Sequence, residues 1–315
     1  MTTPLEQAAQ AAQRAPSVFN TQPWSWRITG DGMELRAAAD RRVESIDPDD
    51  HLLLISCGAA LHHARTFLAA AGWSATVERM PAPDVLARIR LGNPVAADEE
   101  AERLAAAIPL RRTDRRAYDD RPVTDDELTV LRKAVEAEGV YLHVVPKDQI
   151  PALAISQELA GDAELSDPEY RADLANWTSR TGGDGVPAAN AVRPEARRVP
   201  LRDFAPDAEA GLAAGEKHDQ GAAYVIIFGP GDHHRDLLRA GEALSALLLR
   251  ATADGLATAP LSDAVEVEWP RQILKGLVAG LGEPYIVVRL GYLGDREPLP
   301  PMPRRDPRDV VQKVE

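Results

Sequence analysis

Hydrophobic and polar positions follow two different patterns along this chain. Residues 52–71 and 241–253 are apolar on nearly every side, which is typical of helices buried in the centre of a domain. Shorter stretches with alternating character predict strands, and Gly30-Asp31-Gly32 predicts a hairpin turn between the first two. The predicted strands span 24–28, 33–37, 74–80, 85–91, 140–145, 222–228 and 285–290. Each half of the chain therefore carries several strands and one long central helix.

Start and stop signals place further helices between these strands. Thr124 and Glu127 form a capping box that predicts a helix ending near Gly139. Other helices are predicted at 4–14, 96–107, 150–161 and 272–277.

The acidic, alanine-rich segment at 96–107 is the best candidate for a domain boundary. It divides the chain into an N-terminal half, 1–105, and a C-terminal half, 106–315. No regular pattern continues through about 162–220, which is rich in Gly, Pro and Arg. A long irregular insertion of this kind is typical of a lid or a binding loop.

A weak internal repeat links the two apolar helices. Residues 58–72 align without gaps against 241–255, and each copy begins and ends with glycine. Two copies of a centrally buried helix suggest two related halves whose long helices pack together. Chance similarity between two alanine- and leucine-rich helices is the alternative.

Composition narrows the class of protein. The chain has 315 residues, of which 44% are hydrophobic, and one cysteine, Cys57, which we expect in the core rather than as a nucleophile. The single cysteine and a first segment without a secretory pattern predict a cytoplasmic location. A net charge of -13 argues against nucleic-acid binding, and no apolar run is long enough to predict a membrane span. Arginines nevertheless concentrate at 111–116, 193–202 and 304–308, which indicates a specific anion site.

The most informative segment is residues 15–24, Ala-Pro-Ser-Val-Phe-Asn-Thr-Gln-Pro-Trp. It combines a rigid Pro16, hydrogen-bonding side chains at Ser17, Asn20 and Gln22, and a Pro-Trp stop. This pattern predicts the end of a helix followed by a stiff, polar loop that can present groups to a flat ligand.

A second informative segment, residues 111–115, reads Arg-Arg-Thr-Asp-Arg. Several guanidinium groups beside a hydroxyl suit a phosphate, because arginine donates hydrogen bonds in a fixed bidentate geometry. The alternative is a solvated arginine face that pairs with Asp119, Asp120 and Asp125. Composition alone does not decide between them.

Other candidate chemistry is weaker. The histidine pairs at 62–63 and 233–234 lack a third partner at metal-ligand spacing, so no metal site is expected. Glu266, Glu268 and Trp269 are expected to form a capping and packing segment rather than acid or base machinery. No glycine-rich dinucleotide motif follows a predicted strand.

Both informative segments resemble motifs of the FMN-dependent nitroreductase family. Residues 16–24 match its P-S-x-x-N-x-Q-P-W element, and residues 111–115 resemble its R-R-S-x-R element. The resemblance implies an α+β fold with FMN as cofactor. It also implies a set of cofactor-binding residues, and no dedicated catalytic acid or base, because the flavin carries out the redox chemistry. The implied residues are Pro16, Ser17, Val18 and Asn20 at the ring edge, Arg111, Arg112, Thr113 and Arg115 at the phosphate and ribityl chain, Pro260, Leu261 and Ser262 beside flavin N5, and Arg304 or Arg305 completing the phosphate site.

The order of these elements is unusual for the family. A nitroreductase subunit normally carries the arginine element first, and two subunits share each flavin site. Here the P-S-x-x-N element lies in the first half and the arginine element in the second. The chain thus resembles a fused dimer, as in the Acg-type branch, which implies one FMN per chain and a monomer that acts as a pseudo-dimer.

For the segment 255–263, an ordinary helix-ending loop is the alternative to a flavin-lining turn.

The resemblance implies an oxidoreductase that passes hydride from NAD(P)H through FMN to a nitroaromatic or quinone-like small molecule. The segment 177–187, with Trp177, Arg180 and three glycines, would then be a lid over the flavin. A surface loop is the alternative. Two other functions stay open, namely a protein that sequesters FMN under its lid with little turnover, and a relic fold without flavin.

Overall fold

The computed structural model describes residues 2–178, 180, 182–193, 195–204, 210–215 and 218–314, and the fold is a mixed α+β fold. The strands are β1 (Trp24–Thr29), β2 (Gly32–Ala37), β3 (Trp73–Ala82), β4 (Val85–Pro94), β5 (Tyr141–Val144), β6 (Ala223–Gly229), β7 (Ala257–Leu261), β8 (Glu283–Gly291) and β9 (Val311–Val314). They form a five-stranded sheet in the order β3-β4-β2-β1-β9 and a four-stranded sheet in the order β5-β6-β8-β7. Every strand predicted from the sequence is present, with ends shifted by no more than three residues.

Ten α-helices accompany the sheets within the described residues. They are α1 (Pro4–Ala12), α2 (His51–Ala70), α3 (Glu99–Ala107), α4 (Asp125–Glu136), α5 (Ile150–Ser166), α6 (Pro168–Thr178), α7 (His234–Ala253), α8 (Asp263–Glu266), α9 (Glu268–Leu277) and α10 (Pro307–Val310). The predicted capping box is formed, because Thr124 and Glu127 each satisfy the other's backbone N–H at the start of α4. Gly72, just after α2, has a φ of 75°, as expected for a helix-ending glycine.

The two apolar helices, α2 and α7, pack against each other in the core. They approach so closely at Gly58 and Gly241 that side chains do not fit. A Cβ built on Gly58 would lie 2.0 Å from the carbonyl oxygen of Leu238, and one built on Gly241 would lie 2.0 Å from that of Ile55. Gly58 and Gly241 are equivalent in the internal repeat, and Ile55 and Leu238 are equivalent at the same offset. This reciprocity is the pattern of a two-fold interface.

Helix α2 is long and apolar enough to cross a membrane by length and composition. In the structure, 83% of its 18-residue apolar window is buried inside the protein. Burial also raises the pKa of the Cys57 thiol on this helix. The apolar character of α2 is therefore explained by its place in the core.

The five-stranded sheet contains a strand from the far end of the chain. β9 pairs in parallel with β1, with Trp26 opposite Val311. β9 was not predicted from the sequence, because Val311–Val314 is only four residues long and follows a segment rich in proline and arginine. This strand ties the C-terminal end to the N-terminal sheet.

Three segments differ from the prediction. Helix α5 continues to Ser166, and α6 follows within the segment expected to be irregular. Helix α7 begins at His234, seven residues before the predicted start. Residues 257–261, expected to form a turn, are the edge strand β7, where Pro260 is tolerated because an edge strand leaves one side without ladder bonds.

Candidate functional site

Two adjoining cavities form a cleft between residues of the N-terminal and C-terminal parts of the chain. One has about 740 Å³ of space and the other about 540 Å³. Both figures include space that is open to solvent. The residues that line both cavities are Pro16, Ser17, Phe19, Thr113 and Arg115. The two informative sequence segments therefore meet at one place, where the two cavities share lining residues.

Arginine side chains surround the 740 Å³ cavity. They are Arg14, Arg111, Arg112, Arg115 and Arg304, and within the described residues none of them pairs with a carboxylate. Arg111 is only 5% exposed, and its Nε and Nη1 atoms have no acceptor in this part of the chain. The solvated-face alternative is therefore wrong for Arg111. Because a buried guanidinium without a counter-charge is costly, this cavity is suited to an anion.

The pKa values of three of these arginines are lowered, because burial disfavours their charged form. Burial, reinforced by Arg112, lowers the pKa of Arg111 to about 10. Burial, reinforced by Arg111, lowers the pKa of Arg304 to about 9, and burial lowers the pKa of Arg115 to about 10. All three side chains remain cationic at neutral pH. An anion bound among them would replace mutual repulsion by attraction.

The 540 Å³ cavity is mainly aliphatic at its inner wall. Its apolar lining consists of Val18, Leu52, Ile55, Leu244, Pro260 and Ile286, together with Phe19 and Phe204. Leu52 and Ile55 belong to α2 and Leu244 to α7, so the central helix pair forms part of this wall. The lining of the whole cleft suits a ligand with an apolar part and an anionic part.

The segment at 16–22 is held in a strained loop beside this cleft. Phe19, Asn20 and Gln22 have φ values of 46°, 55° and 52°, in the left-handed region that non-glycine residues rarely adopt. The Ser17 hydroxyl accepts a hydrogen bond from the Gln22 N–H at 2.9 Å, and the Val18 N–H donates to Ser56 Oγ at 3.2 Å. These bonds fix the loop against α2.

Asn20 also braces other segments. Its Nδ2 atom donates to the carbonyl oxygens of Gly185 and Pro303, and its Oδ1 accepts from Arg304 Nη1 at 2.9 Å. Both N–H donors of the amide are therefore used within the protein, and Asn20 positions Arg304 at the cleft.

The arginine element is held next to β7 by backbone contacts. The Asp114 N–H donates to the Thr258 carbonyl at 2.9 Å, and the Thr258 hydroxyl donates to the Arg112 carbonyl at 3.3 Å. This pairing brings the arginine element beside Pro260 and Ser262, which line the apolar cavity.

The structure places most of the predicted site residues on the cleft. Those that line it are Pro16, Ser17, Val18, Asn20, Arg111, Arg112, Thr113, Arg115, Pro260, Ser262 and Arg304. Leu261 is 3% exposed and buried in β7. Arg305 lies on an outer groove, where its Nη1 atom donates to the carbonyl oxygens of Gln22 and Trp24. Of the two C-terminal arginines, the structure therefore brings Arg304 to the cleft.

Comparison with known proteins gives the family. No family model matches the chain. The Mycobacterium tuberculosis protein named "Putative NAD(P)H nitroreductase Rv3131" is 38% identical over 311 residues, which are 96% of this chain and 89% of the relative. The protein of the same species named "Putative NAD(P)H nitroreductase acg" is 36% identical over 318 residues, which are 98% of this chain and 95% of the relative. The chain belongs to the nitroreductase family.

Solved nitroreductases resemble this chain only in part. The FMN-dependent nitroreductase NfnB from Mycobacterium smegmatis, in complex with NADPH, has a TM-score of 0.46 and 16% identity. The match covers 69% of this chain and 100% of NfnB. A nitroreductase with bound FMN from Desulfitobacterium hafniense has a TM-score of 0.43 and 12% identity, and the match covers 68% of this chain and 98% of that one. Likeness at this level adds nothing to the argument about the site.

The glycine-rich segment of this nitroreductase, predicted to be a lid, is bonded to the strained loop. Gln22 Nε2 donates to the Gly183 carbonyl at 2.8 Å, and the Gly185 N–H donates to the Asn20 carbonyl at 3.3 Å. A Cβ built on Gly183 would lie 2.3 Å from the Arg304 carbonyl oxygen. Glycine at position 183 therefore permits this close approach. Of the predicted lid, Ser179 and Thr181 lie outside the described residues.

Aromatic and ionic contacts add to this anchoring. Trp177 is 5% exposed, and the guanidinium groups of Arg41 and Arg180 lie 5.4 Å and 4.3 Å from its ring centroid. Asp184 forms ion pairs with both arginines. Val186 of this segment and Asn190 just after it line the 740 Å³ cavity. The described residues of the segment are thus attached to the rest of the protein at several points, and its role as a lid stays a prediction.

A buried ionic cluster beside the 540 Å³ cavity was not predicted from the sequence. Arg202 lines that cavity, and its side chain is 5% exposed. Its guanidinium contacts the carboxyl groups of Glu164 at 2.9 Å, of Glu266 at 2.6 Å, and of Asp263. The carboxylates come from α5 and α8, about a hundred residues apart, so no local pattern reveals them. The one signal was Arg202 at the end of an arginine-rich segment.

The prediction of a capping and packing segment at Glu266, Glu268 and Trp269 was wrong for two of these residues. Glu266 was expected to cap a helix, but its side chain is 1% exposed and belongs to the Arg202 cluster. Trp269 was expected to pack, but it is 69% exposed. Arg202 is the cation that these three buried acidic side chains share.

Replacing Glu164 with glutamine is expected to make folding stability less sensitive to pH. Burial, reinforced by Asp263 and Glu266, raises the pKa of Glu164 well above its usual range, although Arg202 opposes the shift. The folded protein therefore keeps a proton that the unfolded chain releases above its ordinary pKa of about 4.5. Stability is lost as the pH rises above that value. Glu164→Gln should raise the free energy of unfolding at pH 8 by about 2 kcal/mol and leave it unchanged near pH 4.

Urea unfolding of both proteins across this pH range measures the effect. The control is Glu158→Gln on the exposed side of the same helix, which should change nothing. Equal pH profiles for Glu164→Gln and the unsubstituted protein would show that Glu164 is ionised in the fold.

Proposed function

We propose that this nitroreductase binds FMN in the cleft and transfers hydride from NAD(P)H, through FMN, to a nitroaromatic or quinone-like acceptor. The observation that carries the proposal is the buried guanidinium of Arg111, which has no carboxylate partner among the described residues and lies at one end of a cleft whose other end is apolar. FMN has the matching shape, with a phosphate tail and a flat isoalloxazine ring. The names of the mycobacterial relatives support the activity.

In this proposal Arg111, Arg112, Arg115 and Arg304 bind the phosphate and ribityl end, with Thr113 donating a hydroxyl. Ser17 and the strained loop face one edge of the ring. Pro260 and Ser262 lie on the side that bears N5. When bound, FMN supplies the hydride chemistry, and the protein supplies position, electrostatics and exclusion of water.

We further propose that the chain is a fused pair of nitroreductase-like halves with one FMN. The strained loop comes from the first half and the arginine element from the second, so one complete site needs both. The reciprocal approach of Gly58 and Gly241 supports the fusion. Flavin absorbance should give one FMN per chain, and light scattering should give a monomer. We also propose that the protein is located in the cytoplasm and that NAD(P)H is its partner there.

Purified protein tests the cofactor and the activity in sequence. The proposal expects yellow protein whose released flavin is FMN. Anaerobic addition of NADPH or NADH should then bleach the flavin absorbance, and addition of a quinone should restore it. Colourless protein that does not take up FMN would contradict the cofactor assignment.

One observation favours a second function, the sequestration of FMN with little turnover. The cover at 182–187 is tied to the strained loop by Gln22 and Asn20, and to Arg41 by Asp184. A cover held this firmly would restrict the access of a nicotinamide to the ring. Yellow protein whose absorbance is unchanged by anaerobic NADPH would support sequestration over the enzyme.

A further inference from the structure

A groove runs along α1, directly outside the arginine-lined cavity. We propose that this groove binds the adenosine phosphate part of a nucleotide. Its lining residues include Gln7, Gln10, Gln13, Arg14 and Phe67, with about 1260 Å³ of open space. The inference rests on the proposed function in one respect, namely that the flavin phosphate occupies the inner arginines.

The first argument is an excess of positive charge. Five arginines line the inner cavity, and no carboxylate of the described residues lines it with them. A phosphate monoester carries about -1.5 to -2 at neutral pH. One flavin phosphate therefore leaves about three guanidinium charges without a partner. Further phosphate groups nearby would compensate them.

The second argument is continuity between the cavity and the groove. Arg14 and Arg304 line both, as do Pro301 and Met302. Arg14 is exposed, and Arg304 has a buried Nε atom without an acceptor in the described residues. A second phosphate could thus contact cations that the first leaves free.

The third argument is the chemistry of the groove beyond the arginines. Gln13 is 5% exposed, lines the groove, and its Nε2 atom has no partner among the described residues. Gln7 and Gln10 are exposed on the same helix. Amide groups can pair with the polar edge of a purine or with a ribose. Phe67 and Met302 provide apolar surface against which a base can stack.

Calorimetric titration of the FMN-loaded full chain with 2′,5′-ADP tests the inference. We expect binding, and we expect Arg14→Gln to weaken it by about tenfold, the effect of losing a charge-assisted hydrogen bond. Gln10→Ala, an exposed change on the groove, should weaken it as well. Arg90→Gln removes the same charge from the exposed face of β4 and should not change the affinity.

Two further measurements show whether the bound adenosine phosphate belongs to the hydride donor or to a larger flavin. If it belongs to the hydride donor, Arg14→Gln raises KM for NADPH while kcat is unchanged. If it belongs to a larger flavin, Arg14→Gln weakens the binding of FAD but hardly that of FMN. No binding of 2′,5′-ADP to FMN-loaded protein, or equal weakening by Arg14→Gln and Arg90→Gln, would overturn the inference. Failure to load FMN would instead contradict the proposed function.

Discussion

Arg111→Met is expected to weaken FMN binding without destabilising the FMN-free protein. The guanidinium of Arg111 is buried, and in the described residues it has no carboxylate partner and two nitrogen atoms without acceptors. Its removal relieves a desolvated charge, so the free energy of unfolding of the FMN-free protein should not fall. In the proposed complex the same group donates charge-assisted hydrogen bonds to the phosphate. Losing them should cost about 1.5–3 kcal/mol, which is about a ten- to hundredfold rise in Kd.

Fluorescence titration with FMN and urea unfolding of the FMN-free protein measure the two quantities. Arg289→Met is the matched contrast, because Arg289 is equally buried but pairs with Asp219 at 2.6 Å. Removing it leaves the buried Asp219 carboxylate with the more distant Arg197, 3.6 Å away, as its cationic partner among the described residues, and should cost about 3 kcal/mol of stability. An Arg111→Met protein with unchanged FMN affinity would exclude Arg111 from the phosphate site.

The opposite effects expected for Arg111→Met and Arg289→Met show how much of the site could be predicted from the sequence. Residues 111–115 indicated an anion site because several arginines were adjacent in the chain. Their burial and lack of carboxylate partners depend on the surrounding fold. The cluster around Arg202 was out of reach, since Glu164 and Asp263 come together only when α5 and α8 pack.

Asn20 shows a similar limit. The sequence indicated a polar loop presenting groups to a ligand, and the loop does line the cleft. Whether an amide faces the ligand or the protein depends on neighbours from distant segments. Here Gly185 and Pro303 take both of its N–H donors. The geometry therefore assigns Asn20 to bracing Arg304, with only Oδ1 retaining capacity to accept another hydrogen bond.

Local signals predicted most of the fold. Strong periodicity fixed the strands and both central helices, because burial on one face or on all sides leaves a clear pattern. Helix α6 lacks such a pattern, since only Tyr170, Leu174 and Trp177 are buried in it. Strand β9 owes its conformation to pairing with β1, which is distant in sequence. Where tertiary contacts decide the structure, local propensity is a weak guide.

The crossing of α2 and α7 leads to the second large prediction. Gly58→Ala is expected to lower the free energy of unfolding by about 3 kcal/mol, because the new Cβ would lie 2.0 Å from a backbone oxygen that cannot move alone. The helices must separate, and Leu52, Ile55 and Leu244 line the apolar cavity from these same helices. FMN retention should therefore fall together with stability. Gly241→Ala should behave in the same way, because its Cβ would meet the Ile55 oxygen reciprocally.

Gly161→Ala provides the control for this effect. Gly161 lies within α5, and a Cβ built there meets no atom within 4 Å. Alanine at that position should stabilise the protein by about 0.5–1 kcal/mol, since glycine is a poor helix former. Thermal or urea unfolding of the three variants, with flavin content measured after purification, separates the effect of helix propensity from that of steric overlap between the helices. If Gly58→Ala and Gly241→Ala were as stable as Gly161→Ala, the close crossing of the two central helices would be wrong. Contacts other than this helix crossing would then have to hold the N-terminal loop opposite the arginine element.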